Sequence, residues 1–168
     1  MLPRIAIILA GRTIDSIYDP DVETRLVDEK NSIIEYFESL QLYINFSFHL
    51  ICQDKYKNQF EPDKKKIFEL IKSSNFNKFL IFHGQETISE TARYLQKNSD
   101  GLNEKTVILT TSIKPLEDVV ISDAPFNLGF AVSSCLNLDP GIYVTLNGST
   151  FKPQNLHIKK CRLISNKF

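Results

Sequence analysis

The sequence predicts an α/β protein built on a doubly wound, mainly parallel sheet with helices on both faces. Two observations carry that prediction. Short runs rich in β-branched and aromatic residues recur along the chain, and stretches with apolar residues at helical spacing separate them. Strands joined through helices need crossover connections, which make the strands parallel and bury both faces of the sheet. A chain of 168 residues is long enough for a conventional core without disulfides, and one domain is expected over residues 1–168.

Taken in order, the strand-like runs are RIAIILA (4–10), LYINFSFHLI (42–51), KFLIFH (78–83), TVILT (106–110) and GIYVTLN (141–147). Between them NSIIEYFESL puts Ile33, Ile34, Phe37 and Leu40 on one helical face, and EPDKKKIFELIKSS does the same with Ile67, Leu70 and Ile71. ISETARYLQK (88–97) has helical spacing, and APFNLGFAVSSCL gathers Phe126, Leu128, Ala131, Val132 and Cys135. The tail STFKPQNLHIKKCRLISNKF predicts a short strand pair with Pro153 at its turn. No internal repeat or low-complexity tract interrupts the pattern.

Composition narrows the function. Twenty basic and twenty acidic side chains cancel, so the chain advertises no nucleic-acid surface, and small-molecule or protein partners are expected. Cys52, Cys135 and Cys161 are widely spaced with no CxxC pair, which predicts thiols in a reducing compartment rather than a disulfide framework or metal site. The opening MLPRIAIILAGR holds only a short apolar run ended by Gly and Arg, too short to span a membrane; a cytoplasmic protein is expected.

Three loops at predicted strand ends share one rim. In AGRTIDSIYD (10–19) Gly11 allows a sharp exit from the first strand, and the Thr13 hydroxyl then projects beside Tyr18. A threonine hydroxyl becomes a nucleophile only where a neighbour accepts its proton, a part a phenol can take; the alternative is an ordinary loop residue at 13 and a packed aromatic at 18. In HGQET (83–87) Gln85, Glu86 or Thr87 supplies a helix cap, or the group faces a ligand. The third, TTSIKPLEDVVISDAPFNLG, is a long polar connection in which Ser122 and Asp123 precede a helix and are expected to cap it.

These loops, with their strands, resemble a known family. RIAIILAGRTID, FLIFHGQETISETARYL, KTVILTTSIKP, SDAPFNLGFAV and GIYVTLNGSTFKP are similar, in order, to the signature segments of the L-asparaginase family with the threonine nucleophile. The short bacterial members, little more than the amino-terminal domain, are the best match, over Arg4 to about Lys160. The resemblance implies hydrolysis of L-asparagine to aspartate and ammonia, no metal or cofactor, and a homo-oligomer, a dimer or larger.

Residue by residue the resemblance is uneven. Where the family reads T-G-G-T-I, this chain reads AGRTI: Thr13 falls on the nucleophile, Tyr18 on the activating tyrosine of the short members, and Ala10 and Arg12 replace a threonine and a glycine. Where it reads H-G-T-D-T, Gln85 and Glu86 stand in the substrate-binding places. Lys55 lies near the position of a serine that meets the substrate's α-carboxylate and amine, and T-G-A-M-x-P has become TTSIKP. For the lysine of the larger members, Cys135 or a neighbour occupies the approximate place, with Lys159 or Lys160 as a distant candidate.

The departures therefore collect in the site while the scaffold persists. Gln85 has no ionisable atom to serve as nucleophile. Glu86 carries one methylene more than aspartate, which moves its oxygens by about an ångström, a displacement that can cost ~100-fold in rate. Three arrangements of Arg12 are open: an ion pair with Glu86 across the pocket, a free cation for an anionic substrate group, or an outward turn into solvent. Two function classes follow, an amidohydrolase of weak or altered activity and a non-catalytic binding or assembly protein. A flavodoxin-like nucleotide site comes third, because AGRTID lacks the repeated glycines of a phosphate loop.

Overall fold

The computed structural model describes residues 2–10, 16–19, 24–27, 32–51, 60–116, 121–159 and 162–165. In chain order the elements are β1 (Arg4–Leu9), β2 (Ser16–Asp19), β3 (Thr24–Val27), α1 (Ser32–Ser39), β4 (Asn45–Leu50), α2 (Phe60–Ser73), β5 (Lys78–Phe82) and α3 (Ile88–Lys97). β6 (Thr106–Thr110), α4 (Ala124–Asn137), β7 (Gly141–Leu146), β8 (Ser149–Phe151), a 3-10 turn (Pro153–Asn155), β9 (Leu156–Lys159) and β10 (Arg162–Ser165) complete the described chain.

A six-stranded sheet in the order β4-β1-β5-β6-β7-β8 forms the centre. The first five strands are parallel, and β8 returns antiparallel to β7. That return is a tight turn at Asn147 (φ 49) and Gly148 (φ 76); two successive positive φ values match the twist of the flanking strands and suit Asn-Gly.

The two-residue period of the strands sorts the core into two layers. Ala6, Ile8, Phe79, Ile81, Val107 and Leu109 pack against Ile67 and Ile71 of α2 and Ile88, Ala92 and Leu95 of α3. The alternate residues Ile5, Ile7, Leu80, Phe82 and Ile108 pack on the opposite face, against Ile33 and Phe37 of α1 and Leu128, Ala131, Val132 and Cys135 of α4. Strands apolar at every position are what a sheet covered on both sides requires, and the predicted fold class is the observed one.

Some boundaries and faces differ from expectation. The run predicted to pair from residue 42 begins pairing at Asn45, because Gln41 sits at φ 48 and turns the chain after α1; Leu40 and Leu42 are left exposed. On α4, Phe126 faces outward at 61% exposure and Asn127 takes the fully buried place. The tail divides: β8 joins the main sheet, Pro153 opens the 3-10 turn, and β9 and β10 form a hairpin of their own. β2 falls in the stretch 10–19 read from sequence as a loop, and its antiparallel partner β3 in residues given no element from sequence.

At the amino edge of the sheet two lysines take up helix-end carbonyls. Lys78 Nζ donates to Cys135 O (2.7 Å) and Leu136 O (3.0 Å) in the last turn of α4. Lys105 Nζ donates to Ser74 O (2.9 Å) and Phe76 O (2.8 Å) just beyond α2. Cations suit helix carboxyl ends. Burial lowers the pKa of Lys105 from its ordinary value.

Candidate active site at the carboxyl rim

The strand register puts the carboxyl ends in one row: Leu9 pairs with Phe82, Phe82 with Thr110, and Thr110 with Thr145. The row continues one residue further, as Ala10 N donates to Phe82 O (2.8 Å) and His83 N to Thr110 O (3.0 Å). From β1 the chain passes to β4 on one side and then to β5 on the other, so the order of strands reverses at β1 and the loops after β1 and β5 diverge. In an open α/β sheet the crevice at such a switch point is where ligands bind.

The turn after β5 carries Gln85, half-buried, and Glu86, exposed, onto the start of α3. Thr87 occupies the N-cap position, yet its hydroxyl makes no capping bond; it lies 3.5 Å from His83 Nδ1. The first turn of α3 is closed instead by backbone, Thr87 N and Ile88 N both donating to Gly84 O at 3.3 and 3.1 Å.

The connection from β6 to α4 is organised by Asp123. Its carboxylate accepts from Ile113 N (3.1 Å to each oxygen) and Lys114 N (3.0 Å to Oδ1), which folds the loop back over the helix start. Of the two expected caps, Ser122 Oγ accepts from Ala124 N at 3.0 Å, while the Asp123 carboxylate takes loop N–H groups and caps no N–H of the helix. Asn127 completes the arrangement. Its amide donates to Thr111 O (3.1 Å) and Asp123 Oδ2 (3.0 Å), and its oxygen accepts from Asn147 N (2.8 Å). One buried amide thus joins the ends of β6, α4 and β7. Asn127→Ala strands these partners, and a loss of about 2–3 kcal/mol is expected, read as a lower urea midpoint at unchanged slope.

Of the residues singled out from sequence, Gln85 and Glu86 lie together on the rim. Arg12, Thr13 and Lys55 lie outside the described residues, as does Lys160. Tyr18 is in β2, paired across the hairpin with Arg25, and Lys159 ends β9. Cys135 supplies nothing to the rim: its thiol donates to Phe79 O (3.6 Å), near the amino end of β5, and burial pushes its pKa up to about 12. The family lysine accordingly has no cationic stand-in at Cys135. Iodoacetamide at pH 8 is expected to leave Cys135 unmodified in the native protein and to alkylate it after unfolding, as peptide mass spectrometry would show.

His83 and Asn127 carry much of the rim's geometry, and neither received a role from sequence alone. The available signal for Asn127 was an amide four residues after Asp123 inside an apolar stretch. Among the described residues no group of three or more His, Cys, Asp and Glu could hold a metal ion, and no helix is long and apolar enough to cross a membrane. An apolar groove of about 290 Å³ between α1 and α4, lined by Tyr36, Phe37, Leu40, Leu42, Leu128 and Val132, opens near the amino ends of the strands, away from this rim.

A parallel α/β sheet with polar loops converging at its switch point defines a class of ligand-binding and catalytic scaffold. Within that class the family is definite: the asparaginase amino-terminal model matches residues 4–162, and the chain belongs to the asparaginase family. The thermostable L-asparaginase of Thermococcus kodakarensis is similar in structure at 17% identity, TM-score 0.73, covering 98% of this chain and 56% of that one. L-asparaginase I of Vibrio cholerae is similar at 22% identity and TM-score 0.76, over 92% of this chain and 48% of that one. A probable cytoplasmic L-asparaginase of Campylobacter jejuni is similar at 24% identity and TM-score 0.72, over 92% and 49%. The chain spans about half the length of these structures, and at such identities they speak for the fold. No curated protein matches the sequence.

Proposed function

We propose that this chain is an asparaginase-like amidohydrolase acting on L-asparagine or a related small amide, with weak or altered activity. Family membership over residues 4–162 carries the reading, and the position of HGQET at the carboxyl rim beside the end of β1 supports it. The Thr13 hydroxyl attacks the amide carbon while its proton passes through the Tyr18 hydroxyl, which hands a proton on to the nitrogen as the C–N bond breaks and ammonia leaves. Water then attacks the threonyl ester, the acid is released, and Thr13 regains its hydroxyl. Backbone N–H groups of the rim loops hold the oxyanion. Arg12, Lys55, Gln85 and Glu86 face the substrate, and the chemistry needs neither metal nor cofactor.

The chain acts as one domain, in the cytoplasm, as a homo-oligomer. A neighbouring copy covers the rim, most simply about a twofold axis; light scattering that finds a monomer at high micromolar concentration refutes this. The second reading, a non-catalytic binding or assembly protein, is favoured by the substitutions at Arg12, Gln85, Glu86 and Lys55 and by the exposure of Glu86. Ammonia release from a panel of amides separates the two. The hydrolase reading expects release that disappears in Thr13→Ala; release equal in both proteins, or absent from both, overturns it.

A further inference from the structure

His83 is 5% exposed and sits at the turn that carries Gln85 and Glu86. Phe82 points into the layer under α1 and α4, so the next side chain turns to the other face of the sheet, toward α3. There its Nε2 lies 2.9 Å from Thr91 Oγ1 and its Nδ1 3.1 Å from Gly84 O. A carbonyl oxygen can only accept, so Nδ1 carries the proton in that bond, which leaves Nε2 to accept from the Thr91 hydroxyl. The same Gly84 oxygen takes Thr87 N and Ile88 N, the first bonds of α3. One ring therefore fastens both ends of a short turn: the carbonyl before Gln85 and a helix residue after Glu86.

We propose that His83 is a positioning residue for the amide site, holding the Gly84–Thr87 turn so that Gln85 and Glu86 meet the substrate in a fixed geometry. The role rests on the amidohydrolase reading. A shift of about an ångström in groups that orient a substrate can cost ~100-fold, and a turn whose Gly84 carbonyl and Thr87 and Thr91 hydroxyls lose the imidazole has room for such a shift.

The experiment compares His83→Asn, His83→Gln and His83→Ala with the unsubstituted chain by steady-state ammonia release and thermal unfolding. Asn places an amide N–H where Nδ1–H lies; Gln reaches toward the Nε2 position and leaves Gly84 O without its side-chain donor. His83→Ala is expected to raise KM at least tenfold, His83→Gln to follow it, and His83→Asn to stay within threefold of the parent. A purely structural histidine lowers the melting temperature and the active fraction, so kcat falls while KM stays. An unchanged KM in His83→Ala, or equal KM values in His83→Asn and His83→Gln, overturns the proposal; the second comparison decides where the alanine variant does not fold. A parent chain that releases no ammonia from any amide refutes the amidohydrolase reading and this role with it, whereas an active parent with indifferent His83 variants refutes the role alone.

Discussion

The triple variant Arg12→Gly, Gln85→Thr, Glu86→Asp is expected to bind L-asparagine at least tenfold more tightly than the parent chain and to hydrolyse it about 100-fold faster. Each change reverses one departure from the family's motifs. Glycine at 12 removes a long guanidinium and lets backbone approach the substrate. Threonine at 85 restores a hydroxyl, and aspartate at 86 draws the carboxylate back by one methylene. Behind the expectation lies the hypothesis that Arg12 and Glu86 pair across the pocket and occupy the space asparagine needs, each charge offsetting the other's desolvation. Calorimetric titration with asparagine and a coupled ammonia assay measure the two effects. No gain in binding shows that the pocket is not blocked in this way, and the guanidinium then serves an anionic substrate group or faces solvent.

Phe37→Ala is expected to lower stability by about 3–5 kcal/mol, roughly 10 °C in melting temperature for a chain of this size. α1 has eight residues, too few to hold a helix without tertiary packing, and Ile33 and Phe37 are its buried apolar anchors. The Phe37 ring meets Phe46 at 4.9 Å, Phe82 at 6.0 Å and Phe48 at 6.3 Å between centroids, which joins the helix to β4 and β5. Removing it deletes buried area and four aromatic contacts together, the edge-to-face one with Tyr36 at 5.9 Å included. Tyr36→Ala, one position away and half-buried, serves as the control; a drop as large there would place α1's anchorage elsewhere.

The sheet was legible because its period is simple. A strand covered on both faces is apolar throughout, and RIAIIL, KFLIF and TVILT admit no other reading in a chain with amphipathic helices between them. The faces of the helices were legible where apolar residues alone set them, as on α2 with Ile67 and Ile71. On α4 the rule failed at one place, because Asn127 is buried for its bonds to Thr111, Asp123 and Asn147 while Phe126 is left outside. Apolar patterning ranks an aromatic above an amide and does not know that loop carbonyls and amides end nearby. The hairpin β2–β3 escaped for a related reason: its strands are four residues each, and so short a run is indistinguishable from loop by pattern. The rim position of HGQET was legible from the strand-like run before it and the helical spacing after it, whereas the bonds of His83 and the loop clasp of Asp123 depend on folded geometry.

The position of β1 also governs how the chain reaches this structure. Ile5 pairs with Phe46 on one side and Ala6 with Phe79 on the other, so both neighbours of β1 come from far along the chain. Parallel pairings of that separation require loop closure before they are rewarded, which slows folding. On the ribosome β1 emerges ahead of β4 and β5, and Ile5, Ile7 and Ile8 then wait with both strand edges open. Such an interval is when a chain associates with its copies, and refolding yield should fall as concentration rises, with β1 the segment through which aggregates begin.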